Sequence, residues 1–410
     1  MTTASSSEPR PEAVKKEAGG RWVALDLLRF VAVLLMVQGH VFTSLLDPSY
    51  EGQRWLRHHN FVHGYTAPMF LFASGLAFGY TTFRGWKANT TWGDGLAKRF
   101  RRYGWLLVIG YALHMPALAL ARLMEIDAGT LRHWLQVDVL QHIGVSLAIL
   151  QLLALAVRRE KVFVAVVGVM FAGVVLGAPL LWATDLSFLP TPIASYLNAD
   201  TGSLFPLFPW AGFTYAGILV AYAARTAKRP SHDLAWPLLA LTVTCFVLPI
   251  ALNRTGLQPY GQHDFWKTDP YYFFFRLANV LAVLTAWCFV EKAADRRGWL
   301  DERAVDARGQ KQTTKMGELL TVVRIVGAES LLIYVAHLVF LHGSVLSHGF
   351  EHATGRSLTI AQASVVATAL LAAMVLLAWT WHEWKKGTWR FRVVQWSAIG
   401  SFAYLMLTSQ

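Results

Sequence analysis

The chain has 410 residues, of which 55% are apolar and only 15% charged, with 17 Trp and 24 Phe. Soluble domains carry about 25% charged residues, so this balance excludes a cytosolic enzyme, a disordered tail protein and a collagenous chain. The net charge of +12 has two readings, a nucleic-acid face or an excess of Lys and Arg in cytoplasmic loops, and the positions of the charges decide between them.

Residues 1–20 are polar and rich in Ser, Glu and Lys, the composition of a disordered cytoplasmic tail. The apolar run that follows is too long for a signal peptide, and no small-x-small cleavage site follows it. Apolar runs long enough to cross about 30 Å of hydrocarbon predict spans over 23–46, 61–83, 103–122, 136–157, 161–183, 204–224, 234–252, 271–291, 318–342 and 358–381, with a weaker eleventh over 392–408. The expected fold is all-α: a polytopic integral membrane protein of ten or eleven transmembrane helices, with residues 21–410 as one membrane domain. Cys245 and Cys288 both fall inside apolar runs and read as small buried hydrophobes.

With the N-terminus cytoplasmic, 27 of the 37 basic residues fall in inside segments and seven in outside loops. Only Arg29, Arg276 and Arg324 remain within or at the ends of spans. Each inside segment carries more Lys and Arg than either of its outside neighbours, which sets the topology. The positive charge is therefore accounted for by orientation, and the expected partner is the lipid bilayer of the cell's inner membrane, not nucleic acid. Two outside segments, 184–203 and 253–270, are poor in Lys and Arg and rich in aromatics and Asn/Asp; such loops bind polar ligands or simply connect spans.

Ionisable groups inside a bilayer are costly and mark function by default. The first span holds Asp26, Arg29 and His40. Eleven residues at 100° each make three turns plus about 20°, so Arg29 and His40 share a helix face roughly 16 Å apart along the axis. Asp138, Gln141 and His142 fall at i, i+3 and i+4 near the outer end of the fourth span, and Ser330, Tyr334 and His337 form a stripe on the ninth. Glu329 needs a partner within the membrane, for which Arg324 and Arg276 are the available cations. The first outer loop contributes His58, His59 and His63, without the ligand spacing of a zinc site, so no metal is expected.

These residues carry a resemblance. Leu25 to Ala32 followed by Met36-Val-Gln-Gly-His40 resembles the opening of the transmembrane acyltransferases: the acyltransferase 3 family and the related family named for the heparan-α-glucosaminide N-acetyltransferase catalytic domain. Pro68-Met-Phe-Leu-Phe-Ala-Ser-Gly75, the basic run Lys98 to Arg102, Asp138-Val-Leu-Gln-His-Ile-Gly144 and Gly327 to His337 resemble further family motifs in the same order. The resemblance spans most of residues 21–342. It implies transfer of an acyl group, foremost acetyl, from cytoplasmic acyl-CoA (acetyl-CoA) to a sugar or cell-surface glycan acceptor on the outer side. It implies Arg29 and Arg324 toward the donor, and His40 as general base or acyl carrier. Heparan-type members place an important His in the first outer loop, matched here by His63, so His40 ranks first as the base and His63 second; Asp138 and His337 complete the expected site. The rival reading is a transporter of a small anionic or polar solute, which predicts discontinuous spans in corresponding halves.

Overall fold

A computed structural model describes residues 22–256, 259–300, 303–305 and 311–385. The expected tail 1–20 and the weak span 392–408 lie outside the described residues. In chain order the helices are α1 (Val23–Leu45), α2 (Arg54–His63), α3 (Thr66–Arg84), α4 (Trp86–Asn89), α5 (Asp94–Leu113), α6 (Leu120–Met124), α7 (Ala128–Trp134), α8 (Val139–Val157) and α9 (Glu160–Trp182). They continue through α10 (Thr191–Ala194), α11 (Leu207–Ala224), α12 (Pro230–Arg254), α13 (Pro270–Arg296), α14 (Lys315–Ala328), α15 (Ser330–His342), α16 (Phe350–Thr354) and α17 (Ile360–Lys385). The strands are two small antiparallel hairpins, Arg303–Val305 with Lys311–Thr313 and Gly343–Ser344 with Ser347–His348. The protein is an all-α polytopic membrane protein.

Among the described residues, eight helices or continuous helix pairs are long and apolar enough to cross a membrane, and α14 with α15 makes a ninth if the bent pair is one span. Two features differ from the sequence expectation of ten or eleven. The third expected span, 103–122, is offset: α5 begins at Asp94 and stops at Leu113. Its first half carries Lys98, Arg99, Arg101 and Arg102, which lowers its hydropathy, and Pro116 follows its end. The ninth expected span, 318–342, is not one rod. It bends by 69° between α14 and α15, at Glu329.

α1 sits at the junction of the bundle. It packs against α3 and α13 on one side and against α14, α15 and α17 on the other. Beyond α3 lie α11, then α9, with the α5–α8 pair alongside; α12 pairs with α13. Helices in lipid gain little from a hydrophobic effect between them and associate where small residues allow close packing. The α3–α11 contact shows this. A Cβ on Gly75 would lie 1.9 Å from the Thr214 carbonyl oxygen, and one on Gly217 would lie 2.2 Å from that of Phe72.

Both ends of α1 are tied down. At its start the Glu291 carboxylate of α13 accepts a hydrogen bond from the Ala24 N–H (2.7 Å) and another from Ser231 Oγ (2.5 Å), which itself accepts from Trp22 Nε1 (2.9 Å). A carboxylate there answers the unpaired N–H groups and positive dipole end of the first turn. At the other end the Leu358 N–H donates to the Leu45 carbonyl (2.9 Å), and the Asp47 N–H to the Leu358 carbonyl (3.0 Å). The helix carrying Arg29 and His40 is thus clamped top and bottom.

Candidate active site

His40 lies near the end of α1 that charge counting assigns to the outside, here termed outer. The preceding residue, Gly39, decides what surrounds it. A Cβ at position 39 would fall 1.8 Å from His63 Nδ1, so the missing side chain is the space in which the His63 imidazole lies. His63 is on the last turn of α2, which continues through Gly64 and Tyr65 into α3 as one span, Arg54–Arg84. The expected outer loop of histidines is thus a helix. His63 Nδ1–H donates to the Leu35 carbonyl (3.3 Å), and its ring meets that of His40 edge to face with centroids 5.5 Å apart.

α15 delivers the third imidazole. His337 is fully buried, and its Nδ1–H donates to the Ile333 carbonyl (2.7 Å). A carbonyl can only accept, so this bond assigns the proton to Nδ1 and leaves Nε2 of the neutral ring as an acceptor. His40 Nδ1 lies 2.8 Å from that Nε2 and must be the donor. The proton order that follows leaves His40 Nε2 as a lone pair with no hydrogen-bond partner among the described residues. Around this pair, His342 Nδ1 pairs with Glu351 (2.8 Å), its Nε2 is 3.4 Å from Ser44 Oγ, and its ring centroid is 6.5 Å from that of His40. Gln38 engages His59 (2.7 Å), whose ring lies 6.4 Å from His63. Among the described residues no group of His, Cys, Asp and Glu is disposed to hold a metal ion.

The other expected residues fall into place around this core or away from it. Asp138 is the N-cap of α8, accepting from the Val139 N–H (2.7 Å), and its Oδ2 accepts from Tyr334 OH (3.0 Å). Tyr334 in turn meets the His337 ring edge-on at 5.9 Å. Asp138 therefore orients a tyrosine beside His337; the imidazole within ion-pair distance of it is His114, at 3.9 Å. Gln141 and His142 turn toward other neighbours: Gln141 packs against Gly110 of α5, and His142 Nδ1–H donates to the Phe205 carbonyl (2.9 Å). The segment 184–203 closes over this corner, with Ser203 Oγ accepting from the Val137 N–H (3.0 Å) and Tyr196 OH 3.0 Å from Tyr111 OH.

Toward the inner end, Gly327 of α14 lies against Arg29, with a Cβ there 3.7 Å from that of Arg29. Arg324 is three residues earlier on the same helix, so both arginines flank the α1–α14 contact. Glu329, sitting at the bend, pairs with neither arginine proposed for it. It takes Lys385 Nζ (2.7 Å) and His382 Nδ1 (3.1 Å) from α17, because the bend turns it toward that helix.

Comparison with known families supplies the identification. The model of the family described as heparan-alpha-glucosaminide N-acetyltransferase, catalytic, matches residues 21–254, more than half of the chain. The chain belongs to this family. No curated protein matches it at a significant level. As a member of the heparan-alpha-glucosaminide N-acetyltransferase catalytic family it is a multi-pass membrane acetyltransferase. The family match contains Arg29, His40, His63 and Asp138 and stops before Arg324 and His337; His337 joins the group through its contact with His40. Gly39 and His342 were missed in the sequence reading. The signal for Gly39 was a glycine beside the intramembrane histidine; nothing local marks His342.

Proposed function

We propose that the protein transfers an acetyl group from acetyl-CoA on the cytoplasmic side to a hydroxyl or amine of a sugar or cell-surface glycan on the outer side, with His40 as the base. The observation that supports this reading is the directed relay Ile333 C=O, His337, His40, which leaves His40 Nε2 free to take a proton. His40 Nε2 accepts the acceptor's proton as the acceptor oxygen or nitrogen bonds to the acetyl carbonyl carbon. The C–S bond breaks, and the imidazolium returns that proton to the departing sulfur. His337 holds His40 in the productive tautomer, and Asp138, through Tyr334, holds the wall beside His337. His63 is the second basic ring at the same place. Arg29 and Arg324 supply cationic groups on the inner side for the donor's phosphates, roughly 16 Å of helix from His40, a span comparable to an extended pantetheine arm. The alternative route uses the same Nε2 as a transient acyl carrier, which takes the acetyl group from the thioester and passes it to the acceptor.

Labelled acetyl-CoA supplied to the purified protein with a panel of amino and neutral sugars tests the assignment. His40→Ala is expected to lower kcat by about 10²–10⁴-fold, the range of general acid–base contributions, and His63→Ala by less. Wild-type turnover that neither substitution reduces overturns the site.

A further inference from the structure

A basic cavity lies at the end of the bundle opposite the histidine cluster. α8 carries the chain about 28 Å from Asp138, beside Tyr334, to the turn before α9. Charge counting puts that turn and the end of α11 on the cytoplasmic side. Between the two helices is a cavity of about 420 Å³ lined by Arg159, Glu160, Lys161, Val162, Tyr222 and Arg225. Packing fixes its walls. The Phe83 ring of α3 meets Tyr222 of α11 (5.3 Å between centroids) and Phe163 of α9 (6.1 Å), and Trp86 Nε1–H donates to the Arg158 carbonyl (3.2 Å).

The charges around the cavity divide into a matched pair and an unmatched one. Arg225 Nε lies 3.0 Å from Glu160 Oε1, and its guanidinium covers the Tyr222 ring at 3.7 Å. Glu160 is thus neutralised within the protein. Arg159 and Lys161 are exposed and meet no carboxylate among the described residues, so the cavity keeps two positive charges.

An apolar face starts at the same place. Val162, Val169 and Leu176 are exposed and seven residues apart, about 20° short of two full turns, so they form a row along α9. Beside that row a Cβ on Gly168 or Gly173 would meet nothing within 4 Å. Val162 belongs to both features, lining the cavity and opening the row. From Val162 to Leu176 the row covers about 21 Å, more than the hydrocarbon depth of one leaflet, roughly 15 Å or half of the core. A ligand that fills cavity and row together has an anionic head and an apolar tail.

We propose that the cavity binds an anionic phospholipid of the inner leaflet, its phosphodiester held by Arg159 and Lys161 and an acyl chain laid along the Val162–Val169–Leu176 face. Basic pockets between transmembrane helices on the cytoplasmic side suit lipid head groups. Phosphatidylcholine brings its own cation, which the same two side chains repel, so the site selects by headgroup charge. The site is independent of the chemistry at His40.

The test is lipid binding. Purified protein in neutral detergent is titrated with phosphatidylglycerol and with phosphatidylcholine, and the lipid retained is counted by native mass spectrometry. Phosphatidylglycerol is expected to bind at least tenfold more tightly. Arg159→Gln and Lys161→Gln are each expected to weaken it about fivefold, and the double variant to lose the preference. Both side chains are exposed, so the variants are expected to keep the wild-type circular dichroism spectrum. Lys98→Gln, on α5 and outside the cavity, is expected to bind as the wild type does. Equal affinity for the two lipids, a preference that survives the double substitution, or an equal loss in Lys98→Gln overturns the proposal. So does displacement of phosphatidylglycerol by inorganic phosphate or by acetyl-CoA, either of which would assign the cavity to a soluble phosphate.

Discussion

At the scale of single residues, a glycine controls how close two imidazoles come. Gly39 has no φ that an L-residue avoids; its requirement is space, since any Cβ there overlaps the His63 ring. Gly39→Ala is therefore expected to push His63 off α1 without altering a titratable group. A displacement of about an ångström near reacting atoms costs on the order of 10²-fold, so kcat is expected to fall by about that factor with the fold intact by circular dichroism. Unchanged kcat would show that His63 contributes nothing at that position. His40 and His63 were visible in the sequence because they are ionisable groups in or beside apolar runs, where few such groups occur. The direction of the proton relay was not, because it depends on Ile333 C=O and His337 Nε2, which belong to a helix almost three hundred residues further along.

At the scale of elements, the apolar runs predicted most spans, since about 20 apolar residues have few alternatives in lipid. The exceptions are where tertiary contacts override composition. Glu329 and its α17 partners accompany a 69° break within one continuous apolar run, and a helical turn connects α2 to α3 where the sequence reads as loop. The α3–α11 pair offers a stability test. Gly75→Val is expected to lower stability by about 3 kcal/mol, the upper range for overpacking, through collision with Thr214. Gly173→Ala on α9, where a Cβ meets nothing within 4 Å, is expected to be neutral or mildly stabilising. Thermal unfolding in detergent compares the two; equal effects would show that the close approach of α3 and α11 is not a determinant of stability.

For the whole molecule, α1 is the shared wall between the pair α3 and α13 and the group α14, α15 and α17, clamped by Glu291 at one end and Leu358 at the other. This places Arg29 and His40, the groups proposed to face donor and acceptor, on one rod, which matters only if the rod crosses the membrane with the expected orientation. Cys245 and Cys288 are buried, so an introduced cysteine labels over a low background. With the N-terminus inside, Thr255→Cys is expected to react with an impermeant maleimide on intact cells, and Thr91→Cys only after lysis. The reverse pattern inverts the topology and with it the assignment of donor and acceptor sides.

The amino-acid sequence by itself determined that this chain is an all-α membrane protein, how its charges orient it, and which few ionisable groups the bilayer must tolerate. Those follow from the cost of exposing polar groups to hydrocarbon, a property of composition along the chain. Only the tertiary structure decided which of these groups meet: His40 with His63 and His337, Asp138 with Tyr334, and Glu329 with Lys385. Hydrogen-bond partners and the space left by a glycine depend on distances of a few ångströms between helices remote in sequence, which no periodicity records.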